Sequence, residues 1–128
     1  MSLRSPLASA LNRGSAHEGV GHWIVQRVTA LALAPLSIWL LLQLLSLPQA
    51  DYAAASAGVS SGWNPVWLSL MVLLASWHSW LGVQVVVEDY IHQALTKTLT
   101  LLLSTFVHAL LAISGVYAVL HIALRGVG

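Results

Sequence analysis

The sequence predicts an all-α membrane protein of three transmembrane helices, and three observations lead there. Hydrophobic residues make up 58% of the 128 positions and charged residues 7%, whereas a soluble domain carries about 25% charge. Mean hydropathy is +0.81. Three segments reach the length of about 20 mainly apolar residues that a spanning helix needs. None alternates with the period of two that membrane β-strands show, and backbone groups in lipid must be satisfied within the segment, so these runs should be helical. This composition excludes a soluble globular enzyme and a disordered tail. Five Lys+Arg against four Asp+Glu leave no basic face for nucleic acid. With no cysteine there is no disulfide framework, thiolate zinc site or cysteine-ligated iron–sulfur cluster. A chain of 13.7 kDa supplies only a few spans, so elaborate chemistry needs partner chains.

The elements follow in order. Residues 1–21 hold Arg4, Arg13, Ser and Gly without the apolar core of a signal peptide. Two Arg, several Ser and no acid before Glu18 lend some transit-peptide character, but the segment reads as a cytoplasmic arm. Residues 22–128 form one membrane domain. Its first apolar run, about Val28 to Leu47, places a helix over about 23–47. Pro35 should free the Leu31 carbonyl and bend that helix mildly. Pro48 to Asn64 reads as a loop rich in Ala, Ser and Gly, with breakers at Pro48 and Asn64-Pro65. The second run, Pro65 to Val87, gives a helix over about 65–89. Glu88 to Thr98 is a tighter polar connection. The third run, Leu99 to Leu124, gives a helix over about 97–124.

Orientation follows Lys and Arg rather than net charge. Arg4, Arg13 and Arg27 precede or open the first span, Lys97 lies in the second connection, and the Pro48–Asn64 loop has neither residue type. The N-terminus is therefore expected on the cytoplasmic side and the C-terminus, with Arg125, on the outer, periplasmic side. Trp23, Trp63 and Trp67 fall near span ends, where indoles favour the interface.

Ionisable residues inside a span are costly and are functional candidates. His17 lies in the arm, and His22 and His121 near span ends read as interfacial side chains. His78 and His108 differ. His78 is 11 residues before Asp89 and His108 is 11 beyond Lys97, which is roughly 16 Å of helix in each case. An imidazole at that depth is either a hydrogen-bonded packing residue or an axial haem ligand. His78, Gly82, Val85 and Asp89 fall within about 40° of one helix meridian. Gly82 leaves room beside the histidine for a flat macrocycle, or equally for a neighbouring helix. Spacing is compatible with both.

Arg27 opens the first span in His22-Trp23-Ile24-Val25-Gln26-Arg27-Val28-Thr29-Ala30. It can snorkel to lipid phosphate or hold a cofactor carboxylate in a two-point contact. Glu88-Asp89-Tyr90 ends the second span. Two acids there oppose the helix macrodipole and call for a compensating partner. Tyr90 is either an aromatic-belt residue or a donor to a quinone carbonyl.

Together these residues resemble a known family. The run His78-Ser79-Trp80-Leu81-Gly82-Val83-Gln84-Val85-Val86-Val87-Glu88-Asp89-Tyr90 is similar to the HxxxGxQxVxxDY signature of the hydrophobic membrane anchor, the D subunit, of succinate dehydrogenase (respiratory complex II). His22-Trp23 followed by Gln26-Arg27-Val28-Thr29-Ala30 resembles that family's HW…QRxTA stretch, and Gly14-Ser15-Ala16 and Glu18-Gly19 fit bacterial members. The resemblance covers about residues 14–92; the third span matches only in length and apolar character.

The resemblance implies a three-helix anchor in the bacterial inner membrane. It pairs with a cytochrome b-type C anchor subunit and holds an iron–sulfur subunit and a flavoprotein subunit, which carry the iron–sulfur clusters and FAD. It implies that His78 supplies one axial ligand to a haem b shared with the C subunit, that Arg27 lies near the haem propionates, and that Tyr90 with Asp89 helps form the ubiquinone site. Electrons from succinate oxidation then reduce quinone. A fumarate reductase anchor running in the other direction is the near alternative. A single-chain cytochrome b with His78 and His108 as paired ligands, and a cofactor-free helix bundle or small transporter, are the others.

Overall fold

The computed structural model describes residues 16–47 and 51–125. Most of the expected arm, Pro48 and residues 126–128 lie outside them. Four helices follow one another: α1 (Ala16–Leu45), α2 (Tyr52–Ser60), α3 (Asn64–Tyr90) and α4 (Ala94–Arg125). There is no strand among the described residues. α1, α3 and α4 are long and apolar enough to cross a membrane. They contain 30, 27 and 32 residues, so at about 1.5 Å per residue each exceeds a hydrocarbon layer of about 30 Å. The predicted fold class, an all-helical multi-pass membrane protein with three spans, is the one observed.

The helices start earlier than the apolar segments, and α1 ends at Leu45, two residues before the end expected for it. α1 already begins at Ala16, and only Ile91–Gln93 separate α3 from α4. No Gly or Pro occurs between Gly82 and Gly115, so nothing breaks the helical backbone until it turns. The turn is made at Ile91, whose backbone is extended. The segment between the first two spans holds α2 rather than only a loop. Asp51 caps it, its Oδ1 accepting from the Ala54 amide at 2.7 Å, and the alanine-rich run that follows propagates it. Gly62 then takes a left-handed φ of 51°, which glycine adopts at little cost. Pro65 follows in the first turn of α3, where its missing N–H is harmless. Asn64 Nδ2 donates to the Gly58 carbonyl at 2.7 Å and ties α2 to α3.

α3 is the central helix, packing on α1 on one side and on α4 on the other. Few side chains are buried: Leu36 on α1 and Leu81 and Val87 on α3 are the apolar ones among the described residues. Leu31, Leu45, Leu103 and Phe106 stay exposed, as lipid-facing residues do. Lipid is as apolar as leucine, so burial alone does not bring such helices together, and close packing and polar contacts must. At the α3–α4 crossing a Cβ on Gly115 would lie 2.6 Å from Val72 Cγ1, so that approach requires glycine. The pairs Val72–Gly115, Ser79–His108 and Trp80–Thr105 define an antiparallel register between α3 and α4. Gln26 and Thr29 against Gly82 and His78 define another between α1 and α3.

Candidate functional site

The α1–α3 seam is built around one imidazole. His78 is half-buried. Its Nδ1 lies 2.9 Å from Thr29 Oγ1 and its Nε2 lies 3.4 Å from Gln26 Nε2. Thr29 is 4% exposed and is the buried polar residue of the described chain. Its hydroxyl is also 2.9 Å from the Val25 carbonyl oxygen and 3.1 Å from that of Gln26. Gln26 and Thr29 are three positions apart and so share a face of α1, the face turned to α3. Gly82 lies one turn from His78. A Cβ there would sit 3.7 Å from Gln26 Nε2, so the Gln26 amide occupies the space that the glycine opens. Gln26 Oε1 and His22 Nε2, one turn apart on α1, are buried without a partner. Buried polar atoms are rarely left so.

His108 lies on the other side of α3. Its Nδ1 is 2.8 Å from the Ser104 carbonyl oxygen, which can only accept, so Nδ1 carries the proton and donates. Its Nε2 then accepts from the Ser79 hydroxyl at 3.1 Å. Both ring nitrogens are engaged. His78 contacts α1 while His108 contacts Ser79 and its own helix, so the structure does not bring the two together as a ligand pair. An open cleft of 710 Å³ beside His108, lined by Leu70, Leu73, Trp77, Trp80 and Ala112 among others, is almost wholly apolar and lies away from the His78 seam.

Arg27 is exposed and its guanidinium lies 5.0 Å from the centroid of the Trp23 ring, a cation–π contact. The α1–α3 register sets Arg27 beside Leu81. That is within a turn of the level of His78 and about 13 Å along the axis from Tyr90. Asp89 is exposed and Tyr90 is 80% exposed at the last turn of α3. The structure therefore groups Arg27 with His78 by level and places Asp89 and Tyr90 apart, at one end of the bundle. The compensation expected for the acidic helix end is present: Lys97 Nζ donates to the Glu88 carbonyl at 3.2 Å, a cation at a helix C-terminus. Gln84 Nε2 donates to Glu88 Oε1 at 3.0 Å.

Gln26 and Thr29 stand within the family-like stretch of α1, where the sequence alone assigns them no role. Their spacing of three and their place on the face that also carries His22 were the available signal. Among the described residues no three His, Asp or Glu side chains gather as a metal site. The donor set is a single imidazole, anchored through one nitrogen and facing a neutral amide through the other. That donor set fits a single imidazole bond to a haem iron.

Comparison with known proteins gives one consistent result. Residues 1–113 match the family described as succinate dehydrogenase/fumarate reductase transmembrane subunit. The succinate dehydrogenase hydrophobic membrane anchor subunit of Rickettsia bellii is 37% identical over 89 residues, covering 70% of this chain and 71% of the relative. That of Rickettsia conorii is 34% identical over 106 residues, covering 81% and 84%. That of Rickettsia typhi is 31% identical over 105 residues, with 81% and 84% covered. No solved structure matches.

Proposed function

Since the chain belongs to the succinate dehydrogenase/fumarate reductase transmembrane subunit family, we propose that it anchors a succinate:quinone oxidoreductase in the bacterial inner membrane, with His78 as one axial ligand of a haem b. The observation that carries this reading is the shared level of His78 and Arg27. An exposed guanidinium within a span is costly in lipid, and a carboxylate-bearing partner at that level would relieve the cost. A haem has such carboxylates in its propionates, and Arg27 would hold one of them in a two-point contact. His78 would offer its Nε2 to the iron, the second ligand coming from the C anchor subunit. Bound there, the haem would supply one-electron redox chemistry and a link between the two anchors.

Asp89 and Tyr90 form the second part of the proposal. A quinone head group is polar and its tail apolar, so its place is where a span meets the interface. Tyr90, exposed at the end of α3, is free to donate to a quinone carbonyl from its hydroxyl. Asp89 next to it would orient that hydroxyl or relay protons as the quinone is reduced. The iron–sulfur and flavoprotein subunits would dock on this end and deliver electrons from succinate.

The test is a pair of assays on one purified complex. Tyr90→Phe should lower quinone reduction about tenfold, since one hydrogen bond that strengthens as charge develops is worth about 1.4 kcal/mol. Succinate oxidation by an artificial acceptor should be spared, because the flavin site lies in another chain. Full quinone activity in Tyr90→Phe would remove Tyr90 from the site.

A further inference from the structure

We infer that Thr29 is a positioning residue for His78: its Oγ1 accepts a hydrogen bond from Nδ1–H while its hydroxyl donates to the Val25 carbonyl oxygen, which fixes the tautomer whose lone pair is on Nε2. The inference rests on the reading of His78 as a haem ligand, and deepens it by naming what makes that histidine able to ligate.

The geometry decides between two assignments. In the first, Nδ1–H donates to Thr29 Oγ1 at 2.9 Å, the Thr29 hydroxyl donates to the Val25 carbonyl at 2.9 Å, and the Gln26 amide N–H donates to Nε2 at 3.4 Å. That makes three hydrogen bonds. In the second, the Thr29 hydroxyl turns to donate to Nδ1, Nε2 carries the proton, and the Gln26 amide must turn end for end to accept it. That makes two, and it takes the hydroxyl proton from the Val25 carbonyl. A group as buried as Thr29, at 4% exposure, has no water to make up the difference. The first assignment is favoured by one bond. The chain Val25 carbonyl, Thr29 hydroxyl, Nδ1–H is also the arrangement by which metal-bound histidines are held, with the far nitrogen hydrogen-bonded and the near one free to bind.

Gln26 completes the device. Its amide is a neutral, weak donor on the lone pair of Nε2, and its Oε1 is buried without a partner. The amide therefore caps the lone pair without protonating it, and it is the group that must swing aside for an iron to approach. Gly82 lets that amide pack against the backbone of α3.

The experiment uses the assembled complex and the full chain. Complexes carrying Thr29→Val, Thr29→Ser and His78→Ala are compared with wild type for haem per FAD and for the low-spin haem resonance in electron paramagnetic resonance. Thr29→Val keeps the side-chain shape and removes the hydroxyl. It should weaken haem retention by about 10–100-fold in affinity and move the low-spin resonance, while Thr29→Ser restores both. Independently of haem, the full chain labelled with ¹⁵N-histidine should show His78 protonated at Nδ1 and bare at Nε2. That pattern should be lost in Thr29→Val and kept in Thr29→Ser. Wild-type His78 protonated at Nε2 would overturn the inference, as would unchanged haem, resonance and ¹⁵N pattern in Thr29→Val. Normal haem in His78→Ala would overturn the ligand reading instead, leaving the ¹⁵N measurement to decide the Thr29 pairing by itself.

Discussion

α3 presents a histidine to each of its two seams, and the two are treated in opposite ways. On the α4 side, His108 has both ring nitrogens engaged: it donates to the Ser104 carbonyl and accepts from the Ser79 hydroxyl. Both bonds are short, and neither nitrogen is open to a metal. That seam is further closed by the Trp80 indole donating to Thr105 at 3.1 Å and by the glycine contact at Val72. On the α1 side, His78 has one firm bond, to Thr29, and one long one, to an amide that is itself only partly satisfied. Residue type and depth are the same, so neither explains the difference. What distinguishes the two is the partner each nitrogen meets. A histidine with two good partners serves packing, and one with a firm partner and a weak one is held in place with its second nitrogen only loosely engaged.

The largest effect should come from exchanging the two histidines' fates by mutation. In the complex, His78→Ala should abolish the low-spin haem signal in reduced-minus-oxidised spectra, whereas His108→Leu should keep it and cost the interhelical Ser79 contact, about 0.6–1.7 kcal/mol by membrane hydrogen-bond measurements, together with the bond to the Ser104 carbonyl of its own helix. Haem lost from His108→Leu and kept in His78→Ala would reverse the contrast and favour a ligand on the α4 side. The next effect tests whether the α4 seam is a packing seam. Gly115→Ala would put a Cβ into Val72 and should lower stability by about 1–3 kcal/mol, as overpacking does, read as a fall in the thermal midpoint of the complex. Val72→Ala added to it should recover part of that loss, and an unshifted midpoint in Gly115→Ala would show that the seam is not tightly packed. The smallest effect concerns the shared end of the seams. Lys97→Met removes the cation at the Glu88 carbonyl and should cost about 0.3–1 kcal/mol, with haem content unchanged. A haem effect from Lys97→Met would mean that the end of α3 and the His78 seam are coupled.

Much of this was legible from the residues. The three spans followed from charge content and apolar length, because an uninterrupted apolar segment in lipid has no alternative to helix. The acidic end of α3 announced a missing partner, and Lys97 is that partner. The motif around His78 and Arg27 pointed to the family. Other features were not legible. The Pro48–Asn64 segment looked like a loop because it is rich in Ala, Ser and Gly and bounded by breakers, yet Asp51 and an alanine run suffice for α2. The roles of Gln26 and Thr29 were hidden because a threonine in an apolar run reads as neutral until it is known what stands opposite.

The sequence by itself determined the fold class, the number of spans and the family, since these depend on local hydropathy and on residues close together in the chain. Only the tertiary structure decided which partners each histidine meets. His78 and Thr29 are 49 positions apart, and His108 and Ser79 are 29 apart. α3 is apolar nearly all round, so its own periodicity does not say which side meets which neighbour. That choice belongs to helix packing, to where Gly115 admits Val72 and where Gln26 fits over Gly82, and it is the facing helix that supplies each imidazole with its partners.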